Sequence, residues 1–306
     1  MRRTKPLVVC ALLACTGGGP SGPARDDGPV DTTEPVALDL AAVRAGAPDT
    51  YKGLPLALVD NGTPTVSAVD GVIGVVCVGM SNGNQECADF QDRLAGPYAE
   101  AVHPAVRVVN CAVGGHAVEK WIDPSFDDVL WERCIAQRLP QAGVRLDQVR
   151  VIWHKVANQF TTLAGGGAKP LFPDPGSDYA ALLTNLDAFA FRVRSFFPGV
   201  QAIYSSSRSY GGYAADPARR GEPLSYEEGH ALNTWLAAHG SVDGVWYGWG
   251  PYLWAPPCSS AQVNGSGICY DRADYRDDGV HPAEGGRAKV SDLLHQRFLE
   301  EAWYRR

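Results

Sequence analysis

Two short motifs near opposite ends of the chain contain residue types that can perform nucleophilic catalysis. The segment 75–82, VVCVGMSN, is an apolar run that ends at a hydroxyl, and the segment 278–281, DGVH, places a carboxylate three positions before an imidazole. On a turn, Asp278 can orient His281 while His281 takes a proton from Ser81, which is the chemistry of an activated serine nucleophile. Each motif also has an ordinary structural explanation, because serine is a common turn or N-cap residue and Asp-x-x-His is a frequent pattern.

Two further motifs contain groups that can bind a developing negative charge. The segment 109–116, VNCAVGGH, follows an apolar run, and a glycine there lets a backbone N–H approach an oxyanion without a Cβ in the way. Gly115 is the preferred donor, with Gly114 as the neighbour that could replace it; a simple tight turn is the alternative. At the end of VIWHKVAN, Asn158 offers a side-chain amide donor, although Asn is also common in turns.

Apolar β-branched runs alternate with amphipathic segments from residue 71 onward, and this alternation determines the expected fold class. The predicted strands are 71–78, 106–113, 149–153, 200–205 and 242–246. The predicted helices are 84–94, 126–139, 178–197, 226–239 and 282–303. Five strands separated by helices predict an α/β fold, a three-layer α/β/α sandwich around a parallel sheet. All four motifs would then lie at one edge of that sheet.

With these motifs in place, residues 71–290 resemble the SGNH/GDSL hydrolase superfamily, whose members contain four blocks with Ser, Gly, Asn and His. The resemblance implies a flavodoxin-like fold, with Ser81, His281 and Asp278 as catalytic residues. It also implies an oxyanion hole formed by the Ser81 and Gly115 N–H groups and the Asn158 side chain. No cofactor is expected.

The chain departs from the family pattern at three positions. Met80 stands where the first block often has Asp, while Val156 and Gln159 replace the usual Gly and Asp around the third-block asparagine. The Gly-x-Ser-Asn form is similar to the sialate O-acetylesterase-like and other carbohydrate-esterase branches. Whether the altered third block lowers activity stays open.

Several other residues are candidates for a substrate cleft because they neighbour the four blocks or follow predicted strands. They are Asn82, Gly114, His116, His154, Arg208, Tyr210 and Trp249. Trp249 lies in an aromatic segment, 246–254, which would either stack on sugar rings or pack against the core. Arg208 would either line the cleft or pair with a structural acid.

The N-terminal 48 residues have the composition of an export signal followed by a tether. Residues 1–14 combine a basic start with a short apolar run, as in a signal peptide. Leu12-Leu13-Ala14-Cys15 resembles the lipobox of bacterial lipoproteins, in which Cys15 is lipidated; the alternative is cleavage elsewhere, with Cys15 a passive thiol. Residues 15–48 then form a lipidated N-terminus and flexible linker, and residues 49–306 the hydrolase-like domain.

The number and spacing of the cysteines indicate the compartment in which the protein folds. Six cysteines follow Cys15, and an even number in an exported protein fits disulfides. Cys258 with Cys269, which flank a polar loop, is the first choice; Cys87 with Cys134 is the second, while Cys77 and Cys111 are expected to be small buried apolar residues. No metal-binding motif occurs.

The net charge of −7, which becomes −10 without residues 1–14, argues against nucleic-acid binding. The leading hypothesis is an exported serine esterase that hydrolyses O-acyl, especially O-acetyl, esters on a carbohydrate or small molecule. Its membrane attachment would be by the N-terminal lipid only, at the periplasm, outer membrane or surface of a bacterium. The alternatives are a lipase or thioesterase for longer acyl chains and a weakly active glycan-binding lipoprotein. The oligomeric state is not predicted.

Overall fold

The structure is a computed structural model that describes residues 57–163, 166–171, 174–259 and 268–306. The predicted signal peptide, Cys15 and the whole predicted linker, residues 15–48, lie outside the described residues. Within them, no helix is both long and apolar enough to cross a membrane.

Six strands form one sheet in the order β2-β1-β3-β4-β6-β5. They are β1 (Ile73–Gly79), β2 (Val106–Asn110), β3 (Val149–Lys155), β4 (Ala202–Ser205), β5 (Ser241–Val242) and β6 (Val245–Trp249). The first four strands and β6 are parallel, and β5 pairs antiparallel with β6 at the edge. The predicted five-stranded parallel sheet is therefore confirmed, with β5 as a short addition.

Helices cover both faces of the sheet. They are α1 (Ser81–Leu94), α2 (Val118–Trp121), α3 (Trp131–Arg133), α4 (Leu139–Gln141), α5 (Asp178–Phe196), α6 (Pro217–Arg220), α7 (Leu224–Ala238) and α8 (Glu284–Leu299). A π-helical segment, Cys134–Arg138, joins α3 to α4. Short 3₁₀ turns occur at Pro124–Phe126, Leu146–Gln148 and Arg272–Asp274.

Alternation along β1 divides the core into two apolar clusters, one on each face. Val75 and Cys77 point to the face covered by α1 and α8, whereas Val76 and Val78 point to the face covered by α5 and α7. All seven residues of β1 are buried, as expected for a central parallel strand. The predicted three-layer α/β architecture is confirmed.

The fifth predicted strand, 242–246, is instead a tight hairpin. Asp243 and Gly244 both have positive φ, 52° and 78°, and separate β5 from β6. Both central residues of a type I′ turn require that region, and Asp-Gly is a strong signal for it. The predicted helix 126–139 is also interrupted, because the chain makes a 3₁₀ turn up to Phe126 and resumes a helical path only at Trp131.

The described disulfides correct part of the cysteine prediction. Cys258–Cys269 is present as predicted. The pair Cys87–Cys134 was wrong, because these residues lie on opposite faces of the sheet. Cys77 instead joins Cys87, and Cys111 joins Cys134, so neither Cys77 nor Cys111 is a free apolar residue.

Candidate active site

Ser81 is the first residue of α1, directly after β1 and Met80. The turn is tight because Gly79 passes close to β3, where an added Cβ would lie 3.0 Å from the carbonyl oxygen of Lys155. The helix therefore begins three residues earlier than the predicted Asn84. This junction presents the half-buried Ser81 side chain at the carboxyl edge of the sheet.

The structure brings Ser81, His281 and Asp278 together in one line of hydrogen bonds. The Oγ of Ser81 lies 2.7 Å from Nε2 of His281, across a sequence separation of 200 residues. On the other side of the ring, Nδ1 of His281 donates to Oδ2 of Asp278. With that proton assignment, Nε2 accepts from the hydroxyl, which is the orientation that a general base needs.

Hydrogen bonds within the turn and close contacts with neighbouring segments fix the position of residues 278–281. The Oδ1 of Asp278 accepts the backbone N–H groups of Val280 and His281, both at 2.9 Å. Gly279 has a φ of +64°, and a Cβ there would lie 1.7 Å from the carbonyl oxygen of Tyr213, so the turn requires glycine. Asn82 fixes this turn to α1 by donating from Nδ2 to the Val280 carbonyl at 2.8 Å.

The electrostatics of Asp278 suit a group that must stay ionised. Partial burial raises the pKa of its carboxyl, but hydrogen bonds from the His281 ring and from the backbone of His281 and Val280 outweigh burial and lower the pKa to about 2. Asp278 is therefore negatively charged at neutral pH and can stabilise an imidazolium on His281.

Backbone N–H groups point to a place for a developing oxyanion. Met80 provides no side-chain cap for α1, so the N–H groups of its first turn, beginning with Ser81, have no helical partner. Gly114 lies beside the nucleophile, since a Cβ on it would be 3.7 Å from Cβ of Ser81, and Gly115 follows with a φ of +73°. In the described part of the chain, neither glycine N–H donates a hydrogen bond.

Asn158 has a different environment from the one the sequence suggested. Its side chain is 1% exposed, and Nδ2 donates to the carbonyl of Asp178 at 3.1 Å. Its backbone N–H donates to Glu228, and its carbonyl accepts from Arg208. In this arrangement the amide serves as a buried link between β3 and α5, and the predicted oxyanion role of Asn158 has no support from its hydrogen bonds.

The two histidines next to the sequence-block motifs, His154 and His116, differ from each other in burial. His154 is 2% exposed, with Nε2 2.7 Å from the Ser205 hydroxyl, and burial lowers its pKa to about 3. It belongs to the core, so its assignment to the cleft was wrong. His116 lies partly exposed beside the glycines, with Nδ1 2.8 Å from the Gly114 carbonyl and its ring edge on Phe126.

A small cavity of about 20 Å³ lies near the relay: the residues on both sides of Ser81 and the turn before His281 border it, although Ser81 and His281 do not themselves line it. Three predicted cleft residues, Asn82, Arg208 and Tyr210, line it. The remaining lining residues are Met80, Lys155, Ser209, Gly211, Arg220, Ser225, Tyr275, Gly279 and Val280. The cavity volume is enough for one or two water molecules or a group of similar size.

Trp249 does not belong to this cavity. It is 6% exposed, donates from Nε1 to Asn233, and lines a separate depression with Leu58 and Arg297. All five aromatic residues of the 246–254 segment are buried, so of the two alternatives packing against the core describes them, and the assignment of Trp249 to the cleft was wrong.

Sequence reasoning missed the charged groups around this cavity. Lys155 and Glu86 form an ion pair at 2.6 Å in which both side chains are at most 3% exposed. Arg220, Ser225 and Tyr275 were also not predicted. The one available signal was Lys155 itself, since a lysine at the end of an apolar strand run is seldom fully buried without a partner. In the described part of the chain, no cluster of His, Cys, Asp and Glu could hold a metal ion.

Comparisons with known proteins give a resemblance in shape only. No protein-family model matches the chain, and a search of curated proteins finds no match either. Among solved structures, the chain is similar to a lipase/acylhydrolase from Enterococcus faecalis, with 15% identity, coverage of 75% of this chain and 96% of that chain, and a TM-score of 0.44.

Two further solved structures show the same level of similarity. A GDSL-like lipase from Bacteroides thetaiotaomicron has 10% identity, coverage of 83% and 98%, and a TM-score of 0.41. An acetyl xylan esterase has 12% identity, coverage of 73% and 98%, and a TM-score of 0.43.

Proposed function

We propose that this protein is a serine ester hydrolase that works through an acyl-enzyme on Ser81. The single observation that carries the proposal is the continuous relay in which the Ser81 hydroxyl lies 2.7 Å from His281 and His281 donates to Asp278. A nucleophile, a base and an orienting carboxylate within hydrogen-bond reach form the arrangement that activates an otherwise weak alcohol.

The reaction proceeds in two balanced half-reactions. Oγ of Ser81 attacks the ester carbonyl as its proton passes to Nε2 of His281, and the tetrahedral intermediate expels the alcohol, which takes that proton. The acyl group is left on Ser81. A water molecule then attacks the acyl-enzyme, giving its proton to His281, and collapse releases the acid and restores the serine. Asp278 stays ionised and holds the ring tautomer throughout.

The backbone N–H groups of Ser81 and of Gly114 or Gly115 are the donors for the oxyanion in this mechanism. They sit at the uncapped start of α1 and beside Cβ of Ser81, where negative charge would develop. On mutational precedent, each well-placed donor contributes about 3 kcal/mol to lowering the barrier.

The substrate we favour is a short O-acyl ester, such as an O-acetyl group on a carbohydrate or small polar alcohol. In support, the cavity near Ser81 has Lys155, Arg208 and Arg220 in its lining, which suits a polar alcohol part better than the apolar one of a lipid substrate. A weakly active glycan-binding protein would have no need for an intact relay, so we place that alternative second.

Fluorophosphonate labelling followed by peptide mapping tests the identity of the nucleophile, because the probe reacts with an activated serine whatever its natural substrate is. We expect one label on Ser81, abolished in Ser81→Ala, together with hydrolysis of p-nitrophenyl acetate that decreases steeply for butyrate and octanoate esters. Labelling at another residue, or equal turnover by Ser81→Ala, would contradict the proposal. A preference for octanoate would assign the protein to the lipase class.

We also propose that the protein is exported and anchored through lipid on Cys15. The signal-like residues 1–14 and the lipobox-like sequence before Cys15 support this, and three disulfides in the described residues fit an oxidising compartment. Metabolic labelling with radioactive palmitate should mark the wild-type protein and not Cys15→Ala. Label on both proteins would contradict lipidation at Cys15.

A further inference from the structure

The cavity beside Ser81 has an unusual balance of charge. Three of its twelve lining residues are cationic, namely Lys155, Arg208 and Arg220, and none is acidic. The overall protein is net negative, with a charge of −7, so this concentration of positive groups contrasts with the bulk composition. A cavity lined by cations favours an anionic occupant.

The three cations are compensated to different degrees. Lys155 is paired with Glu86 at 2.6 Å, whereas the closest carboxylate oxygen to Nε of Arg208, on Glu228, is 3.8 Å away. Burial raises the pKa of Glu228 well above its usual range, and it also raises the pKa of Glu222, the second buried acid that interacts with Arg208, so these acids offset Arg208 only in part. The guanidinium of Arg220 lies over the Phe160 ring, and no described carboxylate is within ion-pair distance of it.

Two hydroxyl groups in the same lining lack a partner. Ser225 is fully buried and Tyr275 is 6% exposed, yet neither side-chain oxygen makes a hydrogen bond to any described residue. Leaving a buried hydroxyl unpaired costs about 1–3 kcal/mol, so such groups normally have a ligand or water to bind. Both can donate to an oxyacid group that enters the cavity.

The position of the cavity determines which part of an ester would reach it. Met80 and Asn82 border it on the α1 side, and Gly279 and Val280 border it on the side of the turn that leads to His281. The proton for the leaving alcohol comes from His281, so the alcohol lies on that side of Ser81. The side chains of Ser81 and His281 stop short of the cavity, and the oxyanion donors at Gly114 and Gly115 are likewise not among its lining residues.

From these observations, and resting on the proposed ester hydrolysis, we propose that the cavity binds a negatively charged oxyacid group carried by the alcohol part of the substrate. Arg220 and Arg208 provide the charge, while Ser225 and Tyr275 provide neutral hydrogen-bond donors. The substrate class is thus an acyl ester of an anionic alcohol, and a carboxylate and a sulfonate or sulfate share the chemistry that this site recognises.

A matched pair of aryl acetates tests the proposal. The compounds 3-acetoxybenzoate and methyl 3-acetoxybenzoate have the same acetyl group and closely similar leaving groups, and differ in one negative charge. We expect kcat/KM at constant ionic strength to favour the anion by tenfold or more, and 3-acetoxybenzenesulfonate shows whether a sulfonate serves equally. A neutral preference in the wild-type protein would overturn the proposal.

Two adjacent arginines give a matched pair of variants. Arg220→Gln should reduce the ratio of anionic to neutral kcat/KM by about tenfold. Arg219→Gln should leave it unchanged, because Arg219 also stacks on Phe160 but does not line the cavity. Equal reductions in both variants would indicate that the general positive potential of the surface, and not the cavity, favours the anionic ester, and would overturn the proposed anion site.

A second pair of esters tests which part of the substrate carries the anion. Phenyl hydrogen succinate and methyl phenyl succinate differ by one negative charge on the acyl part. A preference for phenyl hydrogen succinate, without any preference between the two acetoxybenzoates, would contradict placement of the anion on the alcohol part.

A binding measurement separates failure of this site from failure of the hydrolase proposal. Sodium benzoate should raise the melting temperature of Ser81→Ala more than benzamide does at equal ionic strength, and adding Arg220→Gln should remove that difference. If no ester is hydrolysed but the benzoate effect is present, ester hydrolysis fails while the anion site remains. If esters are hydrolysed and benzoate has no effect, the anion site fails.

Discussion

The ends of β1 and β3 lie side by side at the same edge of the sheet, yet they carry very different chemistry. After β1, Ser81 reaches His281 and remains half-buried at the sheet edge. After β3, Asn158 turns inward and donates its amide to the Asp178 carbonyl, and Glu228 and Arg208 bind its backbone. Equivalent strand ends can therefore provide a reactive group in one case and a structural link in the other.

What separates the two positions is the source of their partners. The carboxylate, two backbone N–H groups and the ring of the relay segment all lie within residues 278–281, so a short turn specifies their geometry. The partners of Asn158 come from α5, α7 and the loop after β4. The geometry of the relay segment is thus set by local contacts, whereas tertiary packing determines which groups the Asn158 side chain and backbone bind.

The largest expected effect is on the relay side of this comparison. Asp278→Asn keeps the size of the side chain but removes the charge and one of the two acceptor oxygens, so the amide can no longer both accept the backbone N–H groups and fix the His281 tautomer. We expect kcat for p-nitrophenyl acetate to decrease about 10⁴-fold, as in other serine relays. Steady-state kinetics measure it, and circular dichroism controls for folding. A decrease below tenfold would mean that Asp278 does not orient the base.

Two disulfides that close loops of similar size allow a test of how much the junction after β1 contributes to catalysis. Cys77–Cys87 spans the junction that carries Ser81, and Cys258–Cys269 lies elsewhere, with separations of 10 and 11 residues. Replacing either pair by alanine should cost about 3 kcal/mol of unfolding free energy, measured with urea, because the loops are nearly equal.

Activity should distinguish the two disulfide variants. Loss of Cys77–Cys87 loosens the connection between β1 and α1, so we expect kcat to decrease several-fold in that double variant and to stay near the wild-type value in the Cys258→Ala/Cys269→Ala control. Equal kcat values in the two variants would show that the first disulfide contributes to stability alone.

On the β3 side, the expected loss is in stability. Asn158→Ala leaves the buried Asp178 carbonyl without this donor, and we expect a cost of about 1–3 kcal/mol in urea unfolding. Because its amide is committed to that link, kcat should change less than tenfold, whereas loss of an oxyanion donor costs about 10²–10³ in kcat. A hundredfold loss of kcat with unchanged stability would restore Asn158 to the oxyanion hole.

The smallest expected effect is the pH dependence of stability. The folded pKa of Asp278 is about 2, below its ordinary value of 3.8, so its contribution is fully present above about pH 5 and is lost as pH falls towards 2. The difference in unfolding free energy between wild type and Asp278→Asn should therefore shrink over that range. A difference that grows on acidification would contradict the lowered pKa.

Sequence reasoning predicted the layers of the fold and the relay because both depend on local patterns. The alternation of apolar runs identified β1 to β4, and the Asp-x-x-His spacing identified the relay segment. The sequence-based prediction of a Cys87–Cys134 disulfide was wrong, because disulfide pairing depends on which face of the sheet each helix covers. Sequence reasoning failed for His154 and Trp249 because a residue at a strand end faces the cleft or the core according to packing that no short motif encodes.

The contact between α1 and α8 has a consequence for biosynthesis. Ser291 donates to Asp89 at 2.6 Å and Phe298 packs edge-on against Phe90, so the last helix docks on the helix that begins with the nucleophile. A nascent chain that has emerged only as far as β6 possesses the serine but neither the base nor its carboxylate. On the proposed mechanism, Ser81 therefore acquires its base only after residues 278–281 have been made and the last helix can dock on α1.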